Sequence, residues 1–326
     1  MHSMDRNASD QRDDPLLSIV IPAFNEEGNI RELYNELLKV LPSLGLPSEI
    51  IFSDDGSSDG TWREIKSLNQ QDGRVKAVRL SRNFGHQYAL LAGLSRAAGD
   101  AVVTMDADLQ HPPWLSPKLV EEWRRGNKIV HTIRLDPASL PFSKRVTSKL
   151  FYKIFSVLSG VKVQSGMADF RLLDRQVVDS ILDFQEGGLF LRGIVQWVGY
   201  PSSEIAFESQ PRFSGTTKYC FRRMTSFAWN SVTSFSIVPV RIGIFIGLIT
   251  SALAFGELIY AVWAKLFTDR VVPGWTSAVS IVSLLFGILF ILMGLIGEYI
   301  GRILIEVKHR PRFLISEIVG MKDRVH

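Results

Sequence analysis

Apolar and polar positions follow two different patterns along the 326 residues of the chain. Up to about residue 230, short apolar runs that fit buried strands alternate with stretches in which apolar residues recur every three or four positions, as on one face of a helix. The predicted strands are 17–22, 50–52, 75–80, 101–105 and 129–133, and the predicted helices are 30–41, 61–68, 88–98 and 115–125. Strands that alternate with helices predict an α/β domain whose mostly parallel sheet is covered by helices.

Charged residues become rare between residues 237 and 304. The stretch 276–297 has none, and the stretch 242–263 has only Glu257. A helix of about 20 apolar residues crosses the ~30 Å hydrocarbon layer of a bilayer. We therefore predict two transmembrane helices, at about 240–263 and 275–300, and the alternative is a pair of buried core helices.

Basic residues mark both ends of this predicted pair of spans. They are Arg222, Arg223 and Arg241 before the first span and Arg302, Lys308, Arg310 and Arg312 after the second, against Lys265 and Arg270 in the short loop between them. Because positively charged flanks stay on the cytoplasmic side, we predict a multi-pass inner (plasma) membrane protein with a cytoplasmic N-terminal domain. The first 14 residues contain no apolar stretch of the kind that signal peptides have, which agrees with that placement.

The two patterns divide the chain into five segments. They are a flexible tail at 1–15, the α/β domain at 16–212, a juxtamembrane amphipathic segment at 213–236, the two spans within 237–304, and a cytoplasmic C-terminal tail at 305–326. Within the tail, 310–319 is predicted to form either a short strand or an interfacial segment. The net charge of +4 gives little support to a nucleic-acid partner, and the single cysteine, Cys220, excludes an internal disulfide.

Polar motifs follow three of the predicted strands. The first strand leads into residues 22–27, which read PAFNEE, and the second into residues 54–61, which read DDGSSDGT. Carboxylates in such turns can accept hydrogen bonds from a base or a ribose, although an ordinary helix-capping turn has the same composition. The sequence contains neither GxGxxG nor GxxxxGK[ST], so a dinucleotide fold and a phosphate-binding P-loop are not supported.

A DxD motif follows the fourth predicted strand. Asp106 and Asp108 share one face if the strand continues through them. Carboxylate oxygens on a short segment suit Mg²⁺ or Mn²⁺, and such a cation would neutralise the charge that builds on a departing nucleoside diphosphate. We therefore predict a divalent metal site that also holds a nucleotide-sugar.

Together these motifs resemble those of the family 2 glycosyltransferases of GT-A fold, and most closely the polyprenyl-phosphate branch. That branch contains the dolichol-phosphate mannose synthases and the bactoprenol glucosyltransferases. The resemblance extends to residues 81–87, 168–173, 190–193 and 212–219, and to residues 297–302 and 310–313 around the second span. It covers the chain from about residue 17 to its end.

The resemblance implies a role for individual residues. The donor would be contacted by Pro22, Phe24, Glu26, Asp55 and Asp106, and the metal would be held by Asp106, Asp108 and Gln110. Asp169 would be an active-site acid, and the acceptor phosphate would be bound by Arg134 and Arg145. The loop between the two arginines departs from the family pattern. His111 stands where many relatives have aspartate, so it is either a further ligand or a loop histidine.

The implied reaction moves one sugar, glucose from UDP-glucose, onto a polyprenyl phosphate such as undecaprenyl phosphate, with inversion. A phosphate monoester has a second pKa of about 6, so it is mostly dianionic at neutral pH and needs no general base. Asp169 would then position a substrate group, and the alternative is a structural partner of Arg171 or Arg192.

Two other functions remain open on the sequence. A processive polysaccharide synthase shares the donor motifs, but it would carry a QxxRW segment and more spans. A membrane scaffold with an inactive sugar-binding domain would not need the Asp106 and Asp108 pair.

The glycine pairs Gly243/Gly247 and Gly297/Gly301 are spaced for close helix packing, and a homo-oligomer is compatible with them.

Overall fold

The computed structural model describes residues 14–135, 166–184, 191–208, 238–267, 274–308 and 310–321. The described residues fall into two compact units. One contains the residues before 209 and those after 310, and the other contains the residues from 238 to 310.

The first unit is built on an eight-stranded sheet. Its strands are β1 (Leu17–Ala23), β2 (Ser48–Asp54), β3 (Val75–Leu80), β4 (Ala101–Thr104), β5 (Ile129–Leu135), β6 (Met167–Asp174), β7 (Ser202–Glu208) and β8 (Ile315–Val319), in the order β7-β5-β6-β4-β1-β2-β3-β8. The ladders β1–β2, β1–β4, β2–β3 and β5–β7 are parallel. The ladders β4–β6, β5–β6 and β3–β8 are antiparallel.

Six helices accompany the sheet. They are α1 (Glu27–Val40), α2 (Thr61–Gln71), α3 (His86–Arg96), α4 (Ser116–Arg124), α5 (Arg175–Asp183) and α6 (Leu191–Trp197). Every residue of β1 is buried, as expected for a strand covered on both faces. Gly93 of α3 faces Val20, and a β-carbon there would overlap that side chain, so glycine allows α3 to lie directly on β1.

The five strands predicted from apolar runs are confirmed, while β6 and β7 were not predicted. The strand β6 contains Asp169 and Arg171, and these charges break the apolar pattern by which a buried strand is recognised. The predicted C-terminal tail also contributes to the fold, because the strand alternative for 310–319 is confirmed by β8. The sheet is therefore mixed at its edges, with a parallel centre.

The second unit contains two long helices, α7 (Val238–Phe267) and α8 (Trp275–Val307). Among the described residues, one helical segment, Leu284–Val307, is both long and apolar enough to cross a membrane, and none of it is buried. That both helices span a bilayer stays a prediction.

One of the two glycine pairs lies at the contact between these helices. A β-carbon on Gly243 would lie 2.6 Å from Cδ2 of Leu292, and one on Gly247 would lie 3.6 Å from Cδ1 of the same residue. At Gly297 and Gly301 a β-carbon would meet no atom within 4 Å in the described part of the chain. The first pair therefore allows α7 to approach α8, and the second pair has no such role within this hairpin.

Candidate active site

The polar motifs meet at one edge of the sheet. Strands β2, β1 and β4 are neighbours and run parallel, so the turns that follow them lie side by side. In open α/β sheets this carboxyl edge is where ligands bind. Of the predicted donor residues, Pro22 lies on β1 and is buried, Phe24 and Glu26 lie just beyond it and are half-buried, and Asp55 follows β2.

Several hydrogen bonds tie the turns after β1 and β2 to each other. The backbone N–H of Asn25 donates to Oγ of Ser57 at 2.9 Å, and the N–H of Ser58 donates to Oδ1 of Asn25 at 2.9 Å. The N–H of Glu26 donates to Oγ1 of Thr61 at 2.8 Å. Asn25 has a φ of 54°, a left-handed conformation that asparagine tolerates better than most residues. These bonds fix the shape of the wall formed by residues 24–26.

Asp55 is the first residue of the turn after β2, and it is buried. Its carboxylate accepts hydrogen bonds from the backbone N–H groups of Phe84 at 2.7 Å and Gly85 at 2.9 Å. Burial raises the pKa of Asp55, and the two amide donors oppose that rise. Gly56 has a φ of 70°, and a β-carbon there would lie 2.6 Å from the backbone carbonyl carbon of Arg82, so this turn requires glycine.

The two aspartates of the DxD motif follow β4. The backbone N–H of Asp106 donates to Nδ1 of His111 at 2.9 Å, and Oδ1 of Asp108 accepts from the N–H of Gln110 at 3.1 Å. Oδ1 of Asp106 is buried and accepts no hydrogen bond within the described residues, and Nε2 of His86 lies 3.5 Å from it. A carboxylate oxygen with this unused capacity, two positions from a second aspartate, fits the hard oxygen donors that Mg²⁺ or Mn²⁺ prefers.

Protein groups alone do not complete such a site. Across the described ranges, no group of three or more His, Cys, Asp or Glu side chains has the geometry to hold a metal ion. A cation held by Asp106 and Asp108 would therefore need further ligands, and a bound diphosphate offers oxygen atoms of the right kind. Gln110 lies in the same turn, and its role as a ligand stays a prediction.

His111 lies in the loop after β4, directly before Pro112, as one of the two alternatives from the sequence expected, and it is packed there. It is buried, its ring stacks on Phe170 with the centroids 5.4 Å apart, and Phe207 lies edge-on at 6.2 Å. Its Nδ1 is occupied by the N–H of Asp106, while its Nε2 lies 3.7 Å from Oδ2 of the same residue. His111 thus holds the start of the DxD turn in place.

Asp169 lies on β6, next to β4, and is paired with two arginines. Nη2 of Arg171 lies 2.6 Å from Oδ1, while Arg192 of α6 donates from Nε to Oδ1 at 2.9 Å and from Nη2 to Oδ2 at 2.7 Å. Burial alone would raise the pKa of Asp169, but Arg192, His86 and Arg171 hold that pKa well below its usual range. An ionised carboxylate with both oxygens engaged is a poor general base. The pairing with Arg171 and Arg192 agrees with the structural alternative, and the predicted role of Asp169 towards a substrate group stays a prediction.

His86 connects the two carboxylate groups, although the sequence assigned it no role. Its Nε2 lies 3.5 Å from Oδ1 of Asp106 and 3.7 Å from Oδ2 of Asp169, and its side chain is 44% exposed. Burial acts against its charge, but the two aspartates prevail and raise the pKa of His86. The signal that the sequence offered was its place within residues 81–87, a stretch that the family resemblance covers.

The structure describes one of the two predicted acceptor arginines. Arg134 is exposed near the end of β5, and its backbone N–H donates to the carbonyl of Gly166 at 2.8 Å. Arg145 lies outside the described residues. Their roles therefore stay predictions. The described site combines an acidic turn, Asp106 to Asp108, with a cationic group of His86, Arg171 and Arg192, an arrangement suited to holding phosphate groups together with a divalent cation.

Two family models match the chain. Residues 18–182 match "Glycosyl transferase family 2", and residues 238–303 match "GtrB C-terminal hairpin". The first match covers β1 to β6 and the turns that carry Asp55, Asp106 and Asp108, and the second covers α7 and most of α8.

Several curated proteins are similar over nearly the full length. A glycosyltransferase of Synechocystis is 39% identical over 94% of this chain and 96% of its own length. A prophage bactoprenol glucosyl transferase homolog of Escherichia coli is 37% identical over 93% of this chain and 99% of its own. The bactoprenol glucosyl transferase of Shigella phage SfV is 36% identical, over 92% and 98%.

Among solved structures, a glucosyl-3-phosphoglycerate synthase of Mycobacterium tuberculosis is similar to the chain at 18% identity. The TM-score is 0.47, and the match covers 68% of this chain and 78% of that one. This likeness is too distant to assign a ligand to the present chain.

Proposed function

Because this chain belongs to glycosyl transferase family 2, and is therefore a glycosyltransferase, we propose that it moves a single glucose from UDP-glucose onto a polyprenyl phosphate such as undecaprenyl phosphate. The acceptor is supported by relatives named bactoprenol glucosyl transferase that match this chain over more than nine-tenths of its length. The same names support glucose as the sugar. The observation that carries the proposal is the buried carboxylate oxygen of Asp106, which accepts no hydrogen bond within the described residues and lies with Asp108 in the turn at the carboxyl edge of the sheet.

The nucleotide lies against the turns after β1 and β2 in this proposal. Pro22, Phe24 and Glu26 form one wall, and Asp55 accepts a hydrogen bond from the base with the lone pairs that Phe84 and Gly85 leave available. Asp106 lies near the ribose and the diphosphate. The fixed geometry of these turns supports the assignment, because a preformed site loses little entropy on binding.

Asp106 and Asp108, with Gln110, would hold Mg²⁺ or Mn²⁺ against the donor diphosphate. The cation would supply charge neutralisation to the departing nucleoside diphosphate. His111 fixes the backbone of this turn through the N–H of Asp106, so the two carboxylates are presented in one orientation. This arrangement supports a site that assembles when the nucleotide-sugar arrives.

The acceptor phosphate attacks the anomeric carbon directly, and the configuration inverts. A dianionic phosphate needs no base, so its difficulty is repulsion from the donor rather than activation. Arg134 and Arg145 neutralise the acceptor charge in this scheme. Asp169 holds Arg192 by two hydrogen bonds and stays ionised throughout.

The two long helices anchor the enzyme in the inner membrane, with the α/β domain on the cytoplasmic side. The large exposed apolar side chains of α7 and α8 support this placement, as does the match to a hairpin family. The proposed division is a tail at 1–15, the catalytic domain at 16–212, a juxtamembrane segment at 213–236, the spans within 237–304 and the C-terminal segment at 305–326. A polyprenyl chain stays in the bilayer, so the anchor keeps the site at the level of the lipid headgroup.

A donor panel tests the proposal. Membranes that contain the full chain are incubated with undecaprenyl phosphate and one labelled nucleotide-sugar at a time, and the lipid is then extracted into organic solvent. Label from UDP-glucose in the organic phase is the expected result. The anomeric configuration of the glucose in that product, compared with that in the donor, shows whether the transfer inverts. Label in a water-soluble polymer would favour a processive synthase, and no transfer from any donor would overturn the proposal.

A further inference from the structure

The segment after the membrane hairpin returns to the sheet and pairs beside the donor turn. Strand β8 runs antiparallel to β3, with Glu317 opposite Arg79. The backbone N–H of Ser81 donates to the carbonyl of Leu314 at 2.8 Å, and Oγ of Ser316 donates to the carbonyl of Arg79 at 3.1 Å. The last strand in the chain thus covers the edge of β3 and surrounds the backbone of Arg79.

Arg79 connects this edge to the turn that carries Asp55. Its Nε lies 3.2 Å from Oδ2 of Asp54, and its Nη2 donates to the carbonyl of Ser57 at 2.9 Å. The N–H of Ser57 in turn donates to Oδ1 of Asp54 at 3.2 Å. One guanidinium therefore fixes a carboxylate on one side of Asp55 and a carbonyl on the other.

Glu317 of β8 is connected to Arg79 through the side chain of Trp62. Nε1 of Trp62, at the start of α2, donates to Oε2 of Glu317 at 2.8 Å, and Nζ of Lys66 lies 3.4 Å from Oε1. The guanidinium of Arg79 lies 5.7 Å from the centre of the Trp62 ring, within the range of a cation–π contact. Glu317, Trp62 and Arg79 form a connected group, here called the Arg79 brace.

We infer that the Arg79 brace is a positioning device for the nucleotide, and that β8 completes the donor site from the far end of the chain. The inference rests on the proposed function, since it assumes that Asp55 faces the donor base. None of the three residues needs to touch the donor, because they hold the backbone on both sides of Asp55. Loss of the brace should therefore weaken binding of the donor without affecting binding of the lipid acceptor.

Steady-state kinetics of the full chain separates these effects. Glu317→Ala removes the acceptor of the Trp62 N–H, and Arg79→Lys keeps the charge but cannot reach Asp54 and Ser57 together. A lost hydrogen bond to a charged group costs about tenfold in affinity. We expect each variant to raise the KM for UDP-glucose about tenfold, with kcat and the KM for undecaprenyl phosphate within about twofold of the wild type.

Two further variants separate positioning from general stability. Glu317→Gln keeps an oxygen for the Trp62 N–H, so it should restore the donor KM to within about twofold of the wild type. Glu121→Ala, which removes an exposed glutamate paired with Arg125 on α4, should change neither KM. An unchanged donor KM in Glu317→Ala, or an equal rise in both KM values, would overturn the inference.

Calorimetric titration with UDP and Mg²⁺ distinguishes this inference from the proposed function. Wild-type protein that binds UDP, with weaker binding by Glu317→Ala, supports the brace. Equal binding by the wild type and Glu317→Ala overturns the brace alone. Wild-type protein that binds no UDP overturns the proposed donor and the brace together.

Discussion

Asp169 and Arg192 form a two-point ion pair, in which Nε lies 2.9 Å from Oδ1 and Nη2 lies 2.7 Å from Oδ2. Arg171, which is buried on the same strand, also contacts Oδ1. One carboxylate thus compensates two guanidinium groups. The carboxylate that the family resemblance implies as an active-site acid is paired with both arginines in this geometry, and its role towards a substrate stays a prediction.

Replacement of Asp169 should therefore cost stability. Asp169→Asn leaves Arg171 buried without its carboxylate, and breaking a buried pair in this way costs about 3–5 kcal/mol. Urea denaturation of the detergent-solubilised chain measures the loss. A second substitution, Arg171→Met, removes the uncompensated charge, and the double variant should recover part of that free energy. Unchanged stability of Asp169→Asn would contradict the pairing.

His86 should contribute to turnover through its contacts with Asp106 and Asp169. His86→Ala removes a hydrogen-bonding group beside two carboxylates, so we expect kcat to fall about 10- to 100-fold. His86→Gln keeps an N–H donor and should retain part of the activity. Initial rates at saturating donor and acceptor test this. Full activity of His86→Ala would show that the histidine does not take part.

Stability should fall with acid through His131. Burial, and to a lesser degree Arg171, lower the pKa of His131 to about 4, so the folded chain keeps it neutral. Below about pH 6.5 the unfolded chain binds a proton that the folded chain does not, and stability therefore decreases as pH falls towards 4. At ~1.4 kcal/mol per pH unit, His131 lowers the free energy of unfolding by about 2 kcal/mol at pH 5.

His131→Gln isolates that contribution, because glutamine does not titrate. Denaturation curves of the wild type and the variant at pH 7 and pH 5 give the comparison. Between pH 7 and pH 5 the wild type should lose about 2 kcal/mol more unfolding free energy than the variant. Parallel pH dependence of the two proteins would contradict the assignment.

Packing of the helical hairpin should depend on Gly243 and tolerate change at Gly301. A β-carbon at Gly243 meets Leu292, whereas none of the described atoms lies within 4 Å of one at Gly301. Overpacking of such a contact costs about 1–3 kcal/mol, so Gly243→Val should lower the melting temperature of the solubilised protein. Gly301→Val is the matched control and should have little effect. Equal effects of both changes would contradict the observed contact.

The centre of the sheet was predictable because its strands are continuous apolar runs. In β1 and β4 every residue is buried, and the polar motif begins where the strand ends. Parallel neighbours then bring those motifs together, so the edge that carries Asp55, Asp106 and Asp108 followed from the pattern.

The remaining parts depend on contacts between distant segments. Strand β6 was missed because Asp169 and Arg171 interrupt its apolar run. The ion pair between them, which allows both to be buried, is seen only in the folded structure. The pairing of β8 with β3 joins residues some 240 positions apart, and its half-buried residues lack a strong pattern. His86 has no acidic neighbour in the sequence, and it meets Asp106 and Asp169 only when α3, β4 and β6 pack.

Transfer of labelled glucose from UDP-glucose to undecaprenyl phosphate by Asp108→Asn is the most direct test of the proposed metal site. The substitution removes a hard, charged ligand and keeps the shape of the turn, so kcat should fall at least about 100-fold with an unchanged melting temperature. Asp183→Asn, an exposed aspartate at the end of α5, is the control and should keep full activity. Full turnover by Asp108→Asn would contradict a role of the DxD pair in holding a cation against the donor.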